Sequence, residues 1–152
     1  MEQGKDMKRI QVTPNFFLDE FIDPSTYAAR GERSLSLMDH RIIMFAQWLR
    51  ETAGKPLTIN NWASGGKFRE SGLRTFNTRT GAKWSQHKFG RAIDIKCQGL
   101  TPPELFAIIK ANEAYLIQHQ LCTTIENLER TPTWLHCDCR FTGLDRLLIV
   151  DP

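Results

Sequence analysis

The chain has 152 residues, 41% of them hydrophobic and 24% charged, which suits one globular domain with a real core and excludes a disordered chain. No apolar run approaches the roughly 18 residues of a membrane span. A net charge of +3 and a pI near 8.8 fall short of the dense basic faces of nucleic-acid binders, and the scattered Lys and Arg residues carry no stacking motif, so nucleic acid is not an expected partner, whereas an anionic cell wall is compatible.

In chain order, the opening "MEQGKDMKRI" is polar and lacks the apolar stretch of a secretory signal, so synthesis in the cytoplasm without such a signal is expected. "TPNFFLDEFI" reads as a short amphipathic segment. A helix is expected from about Ser36, with Met38, Ile42, Phe45, Ala46 and Leu49 on one face and Gly54 just past its end. "PLTINN" is a short strand candidate, and the run from Trp62 to Trp84 is a long loop rich in Gly, Ser, Thr and Arg, of the kind that usually carries function. "GRAIDIKC" alternates as a strand. "TPPELFAIIKANEAYLIQHQ" opens with Thr101 and Glu104 in capping-box spacing and reads as a helix lying on a sheet, with Leu105, Ile108, Ile109 and Leu116 on one side. "CTTIE" and "TWLHCDCR" are two further strand candidates joined by a hairpin-sized connection, and "RLLIVDP" closes the chain. With no internal repeat or linker, residues 1–152 read as a single α+β domain with a small, mainly antiparallel sheet and helices packed on one face.

The four cysteines, Cys97, Cys122, Cys137 and Cys139, lack the paired Cys-x-x-Cys spacing of a structural zinc site. In a strand, Cys137 and Cys139 point to the same face, so the four are expected to be reduced and to fill core volume.

Asp94 poses the sharper question, because it stands between Ile93 and Ile95. A carboxylate placed in such a run needs a cation, donors or a metal. Period-two arithmetic puts Ala92, Asp94 and Lys96 on one face of the strand and Ile93, Ile95 and Cys97 on the other. The same rule separates Trp134, His136 and Asp138 from Leu135, Cys137 and Cys139. If the two strands share a sheet, Asp94 and His136 project from its uncovered face, and His87 reaches them from the turn that Gly90 permits. Two imidazoles and a carboxylate form a catalytic zinc constellation with one position left for water. The competing arrangement pairs Asp94 with a cation such as Arg74 or Arg91. His40 and His119 read as surface residues.

"SQHKFGRAID" resembles the Ser-x-His-x-x-Gly-x-Ala-x-Asp motif of the M15 zinc peptidases, the D-alanyl-D-alanine carboxypeptidases and peptidoglycan endopeptidases. "TWLHC" is similar to the strand carrying their last zinc histidine, and "TPNFFLDEFI" and "SGLR" resemble segments of the phage-associated branch. The resemblance implies zinc on His87, Asp94 and His136, a fold like that of the hedgehog domains and D-Ala-D-Ala peptidases, and hydrolysis of stem or cross-bridge peptides in peptidoglycan. It also implies substrate contacts at Ser85 and Arg74.

One position departs from the pattern. Where many members carry a glutamate base three residues before the final histidine, this chain has Thr133, which cannot take a proton. Glu126, at the end of the preceding strand candidate, is the first replacement, and Asp138, on the face of His136, is the second. The functions to separate are therefore a phage lysin or virion enzyme acting at the cell wall, and a non-catalytic virion structural or decoration protein whose partners are other virion proteins.

Overall fold

The computed structural model describes residues 9–152. Its opening segment folds as a small hairpin, with β1 (Gln11–Thr13) antiparallel to β2 (Phe16–Phe17), followed by a 3-10 turn over Leu18–Glu20. Phe16, Leu18, Phe21 and Ile22 are buried there and begin the core. Helix α1 (Pro24–Arg30) starts where the Asp23 carboxylate accepts the Thr26 amide at 3.0 Å and proline takes the first helical position.

Helix α2 (His40–Ala53) begins later than Ser36. Ser36 belongs to a 3-10 turn over Gly31–Leu37, Met38 is extended, and Asp39 caps the new start by accepting the Arg41 amide. The helix ends at Gly54, which takes the left-handed conformation at φ 68°. Ile42, Phe45, Ala46 and Leu49 are fully buried, each worth roughly 1.5–3 kcal/mol for the larger side chains.

The expected single helix after Thr101 is two, α3 (Pro102–Ala111) and α4 (Glu113–Gln118). Thr101 caps the first by accepting the Glu104 amide. The break falls at Asn112: its amide tightens onto the Ile109 carbonyl at 3.0 Å, and its side chain donates to the Ile108 carbonyl at 2.8 Å, so the side chain competes with the helical ladder.

The main sheet contains β3 (Ala92–Ile95), β4 (Thr124–Glu126), β5 (Leu135–Asp138) and β6 (Leu148–Val150) in the order β3-β5-β4-β6. The first three are antiparallel neighbours, and β6, formed by the closing segment, adds in parallel beside β4. "PLTINN" does not become a strand. Only Thr58 bridges Lys96, because the chain is then drawn to the opening segment, where the Asn60 amide donates to Glu20 and its side chain to Ile22.

Ile93, Ile95, Ile125, Leu135 and Cys137 join the side chains of α2 and α3 in one buried cluster, so the helices cover that face of the sheet. Cys122, Cys137 and Cys139 are buried and reduced. Cys97 departs from the expectation: it lies past the end of β3 and is only half-buried.

Candidate metal centre and its cleft

The β3–β5 register sets Asp94 directly opposite His136, on the face away from the helices. His87 arrives from a 3-10 turn over Gln86–Phe89, which Ser85 opens by accepting the His87 amide at 3.3 Å. Gly90 closes the turn at φ 67°, and a Cβ at this position would lie 2.0 Å from the Leu37 carbonyl oxygen, so both conformation and space demand glycine.

Each imidazole is aimed by its outer nitrogen. His87 Nδ1 donates to the Gly72 carbonyl at 2.8 Å, and His136 Nε2 donates to Asp138 Oδ2 at 2.8 Å. The inner atoms then face one another: His87 Nε2 and His136 Nδ1 are 3.2 Å apart, and each is 3.1 Å from Asp94 Oδ1. A tetrahedral ion with ligand bonds of 2.0–2.1 Å holds its ligand atoms about 3.3 Å apart, close to this spacing. Since a carbonyl can only accept, the Nδ1 proton of His87 is fixed, and the three inner atoms converge on one point that either a proton on His136 or a metal ion can satisfy. The group can hold a metal ion.

The competing pairing occurs alongside this one. Arg74 Nη2 donates to Asp94 Oδ2 at 3.1 Å while its Nε holds the Glu70 carbonyl at 2.7 Å, so the two Asp94 oxygens serve different partners. Arg91 instead lies over the Phe89 ring. Burial opposes charge on Asp94, but the neighbouring His87 and the bonds from both rings hold its carboxyl far below the usual range. Burial likewise works against a charged His136, yet the bonds to Asp138 and Asp94, with the charges of Asp94 and Glu126, push its pKa up to about 10.

Glu126, at the end of β4, brings Oε1 to 3.5 Å from His136 Nδ1, the inner nitrogen, and is 19% exposed. Asp138 is on the outer side of the same ring, fully buried, with Arg140 bonded to both of its oxygens at 2.8 and 2.7 Å. Arg74, Ser85, Glu126 and the three inner residues line one cleft of about 460 Å3, together with Trp84, Trp134, Arg130 and Arg140. His40 and His119 are exposed and lie outside it, and Thr133 is exposed at the start of the strand approach.

Sequence reasoning did not single out Gly72, Lys96 or Arg140. The Ser71–Arg74 segment stitches the site together: the Asp94 amide donates to the Ser71 carbonyl at 2.8 Å, and the Arg74 amide to the His87 carbonyl at 3.1 Å. A Cβ on Gly72 would lie 2.3 Å from the Phe21 carbonyl oxygen, which explains the glycine in "SGLR". For Lys96 the available signal was its place on the Asp94 face, and for Arg140 its spacing of two from Asp138.

Compared with family models, with curated proteins and with solved structures, the chain finds no match in any of the three. What fold and site define is a small α+β protein with a His-Asp-His group able to hold a metal ion at the floor of a cleft. Among the described residues, no helix is long and apolar enough to cross a membrane.

Proposed function

We propose that the protein is a zinc-dependent hydrolase of peptide bonds in bacterial peptidoglycan, of carboxypeptidase or endopeptidase type, phage-encoded and acting at the cell wall as a lysin or virion component. The observation that carries this reading is the carboxylate of Glu126, 3.5 Å from the His136 nitrogen that faces Asp94 and His87, with an open cleft alongside. The motif resemblance in Ser85–Asp94 supplies the substrate class. Zinc, when bound by His87, Asp94 and His136, supplies a Lewis acid and lowers the pKa of water to about 7.

The chain's own groups do the rest. Glu126 takes a proton from the attacking water and returns it to the leaving amine. Asp138 is not assigned this role, because its oxygens are occupied by His136 and Arg140 and it has no exposed surface; it orients His136. Arg74, fixed against Asp94, brings positive charge to the developing oxyanion. The Ser85 hydroxyl accepts from the His87 amide, and its own proton, which has no acceptor among the described residues, is available to the substrate.

The test is Glu126→Gln. The variant should keep its zinc and its fold while release of peptides from purified peptidoglycan falls roughly 10²–10⁴-fold. An unchanged rate removes Glu126 from the mechanism. A wild type that holds zinc and releases nothing from several peptidoglycan types turns the reading over to a non-catalytic virion role.

A further inference from the structure

Past Trp134 the cleft continues into a second compartment of about 400 Å3, which shares Asp94 and Trp134 with the first. Its remaining walls include Lys67, Phe68, Lys96 and Thr133. Two ammonium groups address one ring there: Lys96 Nζ is 4.0 Å and Lys67 Nζ 5.5 Å from the centroid of Phe68. The Lys96 ammonium spends its donors on neutral acceptors, the Ile59 carbonyl at 2.9 Å, the Ser71 hydroxyl at 2.8 Å and the Asp94 carbonyl at 3.3 Å. Among the described residues, neither lysine forms an ion pair with a carboxylate.

An anion in this compartment would be attracted by the positive charge of both lysines. Among the described residues the one acid bordering the compartment, Asp94, already faces Arg74 and the two imidazoles. Among the described residues no further acid borders the compartment, which leaves it open to an anion carried by a ligand. Phe68 and Trp134 offer apolar surface for the stem that carries it, and Thr133 offers a hydroxyl.

Resting on the hydrolase reading, we infer that this compartment is a subsite for a carboxylate-bearing residue of the peptide, next to the bond that lies over the His-Asp-His group, and that Lys67 sets the preference. Lys96 is fixed and supplies background charge; Lys67 is exposed and free to close on the ligand. Position 133, on the compartment wall, is a threonine, so no carboxylate stands there to repel such a substrate.

The experiment uses the zinc-loaded protein and two probes: soluble stem peptides released from purified peptidoglycan, and the same peptides with their carboxyl groups converted to methylamides. Wild type should show a KM about fivefold higher for the methylamides at equal kcat, the effect of one exposed ion pair at its upper range. Lys67→Met should abolish the difference, Lys67→Arg should keep it, and added salt should shrink it. The same KM ratio in wild type and Lys67→Met overturns the assignment. If neither peptide is cleaved, the hydrolase reading has failed separately, and equilibrium binding of the two peptides decides the subsite: a Lys67-dependent preference for the free carboxylates supports it, and equal binding overturns it.

Discussion

In the metal-free protein the three converging electron pairs are satisfied by a proton on His136, and raising the pH removes it. The ring's pKa is about 10 in the folded chain against an ordinary 6.5. Folding therefore takes up a proton between these values, and stability conferred by this group is complete below about pH 6.5 and lost as pH rises through 10. A shift of this size corresponds to about 5 kcal/mol in total. A zinc ion held by His87, Asp94 and His136 would take the same nitrogen, so the loaded protein should lack this dependence, and zinc uptake at pH 8 should expel a proton from His136. Denaturant unfolding of chelated and zinc-loaded protein from pH 6 to 10 measures the first effect. Titration calorimetry in buffers of different ionisation enthalpy counts the protons. Metal-free stability that stays flat or rises from pH 6.5 to 8, before deprotonation of the buried Lys96, its pKa lowered to about 8, adds its opposite slope, or zinc binding without proton release at pH 8, would mean that His136 is neutral in the empty site.

Three further outcomes follow from the packing. His87→Ala, Asp94→Ala and His136→Ala should each lose zinc and with it the stabilisation a bound metal gives, about 4 kcal/mol at 1,000 times its Kd, and Asp94→Ala and His136→Ala should also lose the proton-linked contribution of the empty site; retention of a full zinc equivalent would remove a residue from the ligand set. Gly72→Ala, which drives a Cβ to 2.3 Å from the Phe21 carbonyl oxygen, should cost about 1–3 kcal/mol in denaturant unfolding and also weaken zinc binding, because the Gly72 carbonyl holds His87. Toward a thiol reagent, Cys97 should react first, with Cys122, Cys137 and Cys139 released only on denaturation. Burial, with Asp39 nearby, pushes the Cys139 thiol up to about 12, so native labelling of Cys139 at neutral pH would contradict its packing.

The parts of this structure that depend on local period were readable in the chain. Alternation in "RAIDIKC" and "TWLHCDCR" placed Asp94 and His136 on one face, and the observed register pairs them directly. Gly90 and Gly54 marked their turns, and Thr101 its cap. Features set by distant partners were not readable. Asn60 leaves the sheet because the opening segment captures it, and β6 forms because β4 offers a free edge. Asp138 shares a face with His136, as the alternation requires, but which nitrogen it meets depends on Arg140 drawing it to the outer side. The second compartment likewise needs Lys67 and Lys96 to meet at Phe68, a juxtaposition the long loop creates and no spacing rule announces.

The proposed activity is hydrolysis of wall peptides in this cleft with a metal held by His87, Asp94 and His136. Its most direct measurement is peptide release from purified peptidoglycan by one preparation in three states: as isolated with its zinc content determined, chelated, and reloaded with one zinc per chain. New amino or carboxyl termini should appear in the first and third states and none in the second. Equal release in all three states, or none from a protein that binds no zinc on titration, would contradict the proposed activity.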